Sequence, residues 1–285
     1  MEEYISDNSL YIRSKNNSMI NRKMIGRVLG MLLFIELGMF LLCAGVSAGY
    51  GESDYKYFLY TCIINAVVGG LLLLYGRGAE NKMSRRDGYC VVTLSWVFFT
   101  FFGMLPFYFS GSIDTITNAF FETMSGFTTT GATILDDIES LSHGMLFWRS
   151  LTQWIGGLGI VFFTIAILPI FTTGGVQLFS AESTGVTHDR THPKINVMAK
   201  WLWTIYLVLT VSETVLLMFG GMSLFDAICQ SFATTATGGY STKQNSISYW
   251  NSPYIEYVVA IFMIVSSINF SLFLMCLKGK VGRLF

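Results

Sequence analysis

The stretch that decides the fold is Asn118-Ala-Phe-Phe-Glu-Thr-Met-Ser-Gly-Phe-Thr-Thr-Thr-Gly-Ala-Thr133. Its first part has the amphipathic pattern of a short helix. Its second part is rich in β-branched threonine and in glycine, which are poor helix formers. We therefore expect the helix to end there and to continue as an extended segment of backbone carbonyls, the first segment, made of Thr128, Thr129, Thr130, Gly131 and Ala132.

A variant of this stretch recurs about a hundred residues later in the chain. It also begins with a short apolar piece, and its second segment consists of Thr235, Ala236, Thr237, Gly238 and Gly239. Aligning Gly131 with Gly238 sets Ala119 opposite Asp226. Because each stretch lies between long apolar runs, the pattern indicates a repeated helix–loop–helix hairpin.

The composition is that of a membrane protein. Of the 285 residues, 52% are hydrophobic and 13% are charged, about half the ~25% charged content of soluble proteins. The charges of the eighteen basic and eighteen acidic residues cancel, so the net charge indicates no polyanionic partner. We expect no binding to nucleic acid. The five cysteines lie far apart without a CxxC pair, which favours buried free thiols.

Hydropathy predicts six membrane spans of about 20 residues, the length that a bilayer core requires. They are Ile25–Ala48, Tyr57–Tyr75, Tyr89–Phe109, Phe147–Phe171, Trp201–Phe219 and Tyr257–Leu277. The pieces Ile116–Phe127 and Leu224–Thr234 are too short to cross and too apolar for exterior loops, so we expect them to be re-entrant. The predicted fold is an all-α membrane protein with six transmembrane helices and two re-entrant pore loops.

The repeat divides the chain into four parts. Residues 1–87 are the cytoplasmic N-terminus and a leading transmembrane hairpin, and residues 88–179 are the first pore hairpin. Residues 180–200 are a cytoplasmic linker, and residues 201–285 are the second pore hairpin.

Charge predicts the orientation. With the N-terminus in the cytoplasm, fifteen of the eighteen basic residues lie inside and only Lys56, Arg149 and Lys243 lie outside, as the positive-inside rule requires. We therefore expect a multi-pass protein of the inner, cytoplasmic membrane. The outer face holds nine of the eighteen acids, Glu122 and Asp226 among them. An acidic mouth would concentrate cations, and simple solvation of surface acids is the alternative.

The two segments have the composition of a cation filter. A potassium filter replaces the hydration shell of the ion with backbone carbonyls, and glycine permits the φ values that turn those carbonyls inward. The helices before the segments would aim their partial negative C-termini at the ion. We expect K⁺ at Thr129, Thr130, Ala236 and Thr237. The alternative is that the turns only end two buried helices.

Several charged residues and glycines within or beside the spans allow competing interpretations. Glu36 and Glu213 lie inside spans, where ion handling, proton coupling and polar pairing are all open. Gly156, Gly157 and Gly159 permit close packing or a gating hinge. Arg149 could bridge to an acidic loop residue or snorkel.

The histidines offer little chemistry. His188 and His192 are four apart and could bind a metal on a helix, but Pro193 follows at once, which favours solvated loop residues. His143 stands alone, and no nucleophile, base or phosphate-loop arrangement emerges, so we expect no enzyme activity.

The chain resembles the TrkH/TrkG/KtrB superfamily of potassium-transport membrane subunits, and its TrkH branch in particular. The resemblance covers nearly the whole chain. The motifs that carry it are Ser125–Thr133, Thr237–Ser241, Gln153–Ile160, Gln177–Gly185 and Ser267–Ser271.

This resemblance implies a pseudo-fourfold pore of four hairpins, in which Gly131 and Gly238 are two of four central glycines. It implies potassium uptake with K⁺ as the transported ion and no covalent cofactor. It also implies a membrane homodimer, contact with lipid, and gating by a TrkA-like nucleotide-binding subunit near Phe179–Lys200. Since only two pore hairpins are present, we expect the N-terminal part of a longer protein, or else two copies forming one pore. The alternatives are a non-conducting regulatory subunit and a sodium-permeable or sodium-coupled transporter.

Overall fold

The computed structural model describes residues 20–79, 84–159 and 195–268. All regular elements in these ranges are helical. They are α1 (Arg22–Gly49), α2 (Tyr55–Tyr75), α3 (Arg85–Gly103), α4 (Leu105–Ser110), α5 (Ile116–Phe127), α6 (His143–Leu158), α7 (Ile195–Phe219), α8 (Leu224–Thr235), a 3-10 turn (Ser246–Trp250) and α9 (Pro253–Ser267).

Four helical stretches are long and apolar enough to cross a membrane. They are Arg22–Gly49, Tyr55–Tyr75, Arg86–Ser110 and Trp201–Phe219, and they coincide with four of the six predicted spans. The third stretch contains both α3 and α4. The other two predicted spans run past the described residues, which include only their parts in α6 and α9. The chain is thus an all-helical, multi-pass membrane protein over the described ranges.

The leading hairpin, α1 and α2, packs through glycine. A Cβ atom on Gly30 would lie 2.8 Å from the carbonyl oxygen of Gly69, so the two helices meet at backbone distance, as small residues permit in membranes. The hairpin also packs on α6, where the ring of Phe40 lies 4.6 Å from that of Trp148. The leading hairpin therefore supports the helix that lines the back of the first segment.

Asp87 ties the N-terminal ends of α1 and α3 together. It forms a capping box with Ser84 at the start of α3 and accepts the backbone N–H of Asn21 at 2.8 Å. The side chain of Asn21 in turn caps α1 by accepting the N–H of Met24. One carboxylate therefore satisfies free donors at two helix starts.

The two short helices α5 and α8 are built alike. Thr115 caps the first by accepting the N–H of Asn118 at 3.2 Å, and Ser223 caps the second by accepting the N–H of Asp226 at 3.1 Å. Each helix has 12 residues, about 18 Å of length, against a hydrocarbon core of about 30 Å. The predicted bounds of the first helix are confirmed, and the second is one residue longer than predicted, so Thr235 belongs to α8.

Candidate ion-binding site at the ends of two short helices

Both short helices end in the same unusual backbone. The residue after the helix, Thr128 or Ala236, is followed by a threonine with positive φ, 53° at Thr129 and 54° at Thr237. Positive φ is rare for a β-branched residue and implies that its surroundings hold it there. Two positions further, Gly131 has a φ of 75° and Gly239 has a φ of 87°. The backbone turns out of the helical direction in the same way twice.

This repetition corrects the alignment of the two hairpins. Gly131 matches Gly239, and Thr129 matches Thr237, so the alignment of Gly131 with Gly238 is wrong by one residue. In the same register, Asp226 is opposite Asn118 rather than Ala119, as the helix caps also require. The sequence alignment followed the first Thr-Gly pair, whereas helix ends and positive φ fix the true match. Thr130 therefore corresponds to Gly238, and Ala132 to Tyr240. In this register the counterparts of Thr129 and Thr130 are Thr237 and Gly238, rather than the expected Ala236 and Thr237.

The two segments touch each other. A Cβ atom on Gly131 would overlap the carbonyl oxygen of Gly238. A Cβ atom on Gly238 would overlap the side-chain amide of Gln153. Only glycine fits at either place, because Gly131 packs against the Gly238 carbonyl and Gly238 packs against the Gln153 side chain of α6.

A buried ion pair supports the first segment from behind. The Nε of Arg149 lies 2.8 Å from Oε1 of Glu122, and both side chains are at most 2% exposed. The Glu122 carboxylate also accepts the hydroxyl of Thr133 at 2.9 Å and the N–H of Ile134 at 3.0 Å. A buried pair is tolerated only when its remaining hydrogen-bonding capacity is satisfied, and here the backbone leaving the first segment satisfies it.

Side chains of α6 also hold the end of the second segment. Arg149 donates from Nη1 to the carbonyl of Ser241 at 2.9 Å, and its guanidinium carbon lies 3.6 Å from the centre of the Tyr240 ring. Gln153 accepts the N–H of Tyr240 at 3.1 Å. One face of α6 thus contacts both hairpins.

Two expectations about these residues need correction. Glu122 was expected on an acidic outer face, but it is 1% exposed because it pairs with Arg149. The expected bridge from Arg149 to an acid exists, although the partner lies in a helix rather than a loop. The spacing of Arg149 and Gln153, four apart in an amphipathic helix, is the sequence signal that places both on one face.

The glycines of α6 allow close packing. A Cβ on Gly156 would overlap the carbonyl oxygen of Phe127, and a Cβ on Gly157 would lie 2.8 Å from the Cα of Ala236. Each contact is made with the last turn of a short helix or the residue that follows it. The packing interpretation is confirmed for these two glycines, and the hinge remains a prediction.

The two acids within the spans make polar contacts behind the short helices. Glu36 accepts from the amide of Asn65 at 3.1 Å, and Glu213 lies 3.4 Å from the hydroxyl of Thr235. Both carboxyls are fully buried. Polar pairing is therefore present at both, and ion handling or proton coupling remains a prediction.

His143 was predicted to stand alone, but it has two partners. Its Nδ1 lies 2.7 Å from Oε1 of Glu52, and its ring stacks on Tyr50 with centroids 3.9 Å apart. Glu52 also accepts the N–H groups of His143 and Gly144 at the start of α6. Burial raises the pKa of Glu52, but these hydrogen bonds from His143 and Gly144 outweigh it and leave the pKa lowered.

Some predicted features lie outside the described residues. They are His188, His192, Cys276, most of Phe179–Lys200 and the motif Gln177–Gly185. Within the described ranges, Cys43, Cys62, Cys90 and Cys229 are free, and no three His, Cys, Asp or Glu side chains are grouped as metal ligands.

Comparison with known proteins gives a consistent result. The family model for TrkH, described as a cation transport protein, matches residues 55–284. The Trk system potassium uptake protein TrkH of Escherichia coli (strain K12) is 42% identical over 258 residues, which cover 90% of this chain and 53% of that protein. The Trk system potassium uptake protein TrkG of the same strain is 31% identical over 260 residues, covering 90% and 54%.

A solved structure is also similar. The crystal structure of the potassium transporter TrkH from Vibrio parahaemolyticus superimposes with a TM-score of 0.77 at 34% identity, covering 92% of this chain and 53% of that one. The chain spans about half the length of the curated relatives it matches.

Proposed function

Because the chain belongs to the TrkH family of cation transport proteins, we propose that it takes part in potassium uptake across the cytoplasmic membrane as the membrane subunit of a Trk-type system. Potassium is then the transported ion, and the chain performs no covalent chemistry. The names of the relatives, which are potassium uptake proteins, support this proposal.

In this proposal the backbone carbonyls of the two segments coordinate K⁺. The observation that carries it is the repeated positive φ at Thr129 and Thr237, at the ends of two matched 12-residue helices whose loops meet at Gly131 and Gly238. Carbonyls held rigidly at such a point replace the hydration shell of a cation. The C-terminal ends of α5 and α8 add partial negative charge.

The membrane arrangement follows as part of the proposal. Helices α5 and α8 are re-entrant, and the irregular backbone that follows each of them lines an aqueous path. Such backbone is tolerated at membrane depth only in that setting or where it is buried in protein. The chain has six spans with the N-terminus in the cytoplasm. It divides into a leading hairpin (1–87), a first pore hairpin (88–179), a linker (180–200) and a second pore hairpin (201–285).

The proposed partners are a TrkA-like nucleotide-binding subunit and a second copy of the chain. The Trk-system names of the relatives support association with other Trk components. Co-purification of the protein, expressed from its native gene, with the nucleotide-binding subunit of its own cell tests the first partner. Recovery of the membrane subunit without that protein under mild detergent would contradict it.

Substitution of Gly131 by alanine tests the filter. The added Cβ overlaps the Gly238 carbonyl oxygen and meets a φ of 75°. Gly111 has a φ of 72° with nothing within 4 Å of a Cβ, so Gly111→Ala is a control with the same backbone strain. In bacteria lacking other potassium uptake systems, Gly131→Ala in the native gene should reduce Rb⁺ uptake at least about tenfold, which corresponds to about 1.4 kcal/mol.

The control variant should retain most of the uptake, and both variants should insert into the membrane in normal amounts. Rb⁺ uptake by Gly131→Ala equal to that of the unmodified protein would exclude the filter assignment.

Sodium permeation is the second candidate function. Gly238 stands where the first segment has Thr130, so the two segments are not equivalent in side-chain support, which favours weaker discrimination between ions. Competition of Na⁺ with Rb⁺ for uptake distinguishes the candidates. Equal inhibition by Na⁺ and K⁺ would favour a sodium-permeable transporter.

A further inference from the structure

Tyr240 interrupts the symmetry of the two hairpins. It directly follows Gly239 and corresponds to Ala132 in the first segment. It is only 2% exposed, although it lies in a loop and not in a helix. The first hairpin has only the methyl group of Ala132 at the matching place. The contacts of the Tyr240 ring and hydroxyl therefore have no counterpart running from the first hairpin to the second.

The hydroxyl of Tyr240 reaches across to the first hairpin. Its single proton is shared between two carbonyl oxygens, that of Glu122 at 2.9 Å and that of Ala132 at 3.2 Å. The Ala132 carbonyl also accepts the hydroxyl of Ser125 at 2.6 Å. The last carbonyl of the first segment is therefore held by one side chain of each hairpin.

The remainder of Tyr240 is fixed by α6. The guanidinium of Arg149 covers its ring at 3.6 Å, a cation–π contact, and Gln153 accepts its backbone N–H. Because ring and backbone are both anchored, the hydroxyl has little freedom to follow a displacement of Ala132. The residue is thus suited to set a distance between the two segments.

We propose that Tyr240 is a positioning residue for ion selectivity, which holds the Ala132 end of the first segment at a fixed distance from the second segment. The inference rests on the proposed filter function. Discrimination between K⁺ and Na⁺ depends on the number and spacing of the coordinating carbonyls and on how far they relax. A first segment released at Ala132 can close around the smaller Na⁺, so selectivity falls while conduction continues.

Tyr240→Phe tests this directly, because it keeps the ring on Arg149 and removes only the hydroxyl. The variant is expressed from the native gene in bacteria lacking other potassium uptake systems. Initial uptake of Rb⁺ and of Na⁺ is measured, each normalised to the amount of protein in the membrane. The ratio of Na⁺ to Rb⁺ uptake should rise about fivefold, the factor that one ordinary hydrogen bond is worth.

Tyr206→Phe is the matched control. It also removes a buried tyrosine hydroxyl that donates to a backbone carbonyl, that of Trp154 at 2.9 Å. Its uptake ratio should equal that of the unmodified protein. Ser125→Ala removes the other donor to the Ala132 carbonyl and should raise the ratio in the same direction, so it carries the test if Tyr240→Phe fails to accumulate.

An unchanged ratio in Tyr240→Phe overturns the proposal, as does an equal rise in Tyr206→Phe. If Tyr240→Phe fails to accumulate, an unchanged ratio in Ser125→Ala overturns it instead. A purely structural role would reduce uptake of the two ions by the same factor and leave the ratio constant. Failure of the proposed function is separate, since it would appear as unchanged Rb⁺ uptake in Gly131→Ala.

Discussion

The buried ion pair of Arg149 and Glu122 is surrounded by further hydrogen bonds to both hairpins. The carboxylate accepts from Thr133 and Ile134, and the guanidinium donates to Ser241. Loss of either partner would leave the other charge buried and unpaired, whereas loss of one partner of a surface ion pair leaves the other charge in contact with water. The magnitude of the effect should therefore distinguish this pair from the ion pairs at the surface.

We predict that Arg149→Gln lowers the free energy of unfolding by about 3 to 5 kcal/mol, because Glu122 is left buried and unpaired. Lys243→Gln is the control, since its contact with Glu139 is 3.5 Å long and both side chains are partly exposed, worth at most about 1 kcal/mol. Thermal unfolding in detergent measures both. Equal losses for the two variants would contradict the role assigned to the buried pair.

Single residues differ in how far the sequence predicts them. The positive φ at Gly131 follows from a local preference of glycine, so the position of the turn was predictable. The partner of Glu122 was not, because Arg149 is 27 residues away and only the folded hairpin brings the two together. The hydroxyl contact of Tyr240 with Glu122 spans 118 residues, beyond any local pattern.

At the scale of elements, the start of α6 depends on a residue of another loop. Glu52, between α1 and α2, accepts two N–H groups of α6 that have no partner within the helix. A carboxylate at a helix N-terminus also gains from the helix dipole. The leading hairpin therefore adds to the cap of the helix that contacts both segments, beside the N-cap residue Ser142, which accepts the N–H of Met145.

Glu52→Gln should lower the free energy of unfolding by about 1 kcal/mol at neutral pH, since hydrogen bonds to a charged acceptor become neutral ones. The pKa of Glu52 is lowered in the folded protein, so its stabilisation is fully present above the unfolded value, about 4.3. It is lost as pH falls through the folded pKa. The difference between the variant and the unmodified protein should therefore vanish in acid.

Thermal unfolding at a series of pH values measures this difference. Asp54→Asn is the control, because Asp54 makes no side-chain capping bond at the start of α2, and it should show a smaller effect. A Glu52→Gln deficit that is the same at every pH would refute the capping role of the carboxylate.

Elements were predicted well where the signal is local. The bounds of α5 and four of the spans follow from apolar length and from threonine and glycine as helix terminators. The match of the two hairpins was off by one residue, because a Thr-Gly pair is a weaker guide than a helix end. Loop contacts such as that between Glu52 and His143 depend on the packing of three helices, so no local sequence pattern predicts them.

At the scale of the molecule, three features converge on one place. The leading hairpin packs on α6 through Phe40 and Trp148, α6 packs on both short helices, and the loops of those helices meet at Gly131 and Gly238. The membrane class and the repeat were predictable from composition and pattern. The contact between the two segments was not, because it depends on how two distant hairpins fit against one helix.

The most direct test of the filter is to locate the ion. Crystals of the protein produced from its native gene, grown with Rb⁺ in place of K⁺, would be measured for anomalous scattering at the rubidium edge. The account predicts a peak within about 3.5 Å of the carbonyl oxygens of Thr129, Thr130, Thr237 or Gly238, roughly one coordination distance. Rubidium bound elsewhere along the membrane path, with none at these carbonyls, would contradict the account.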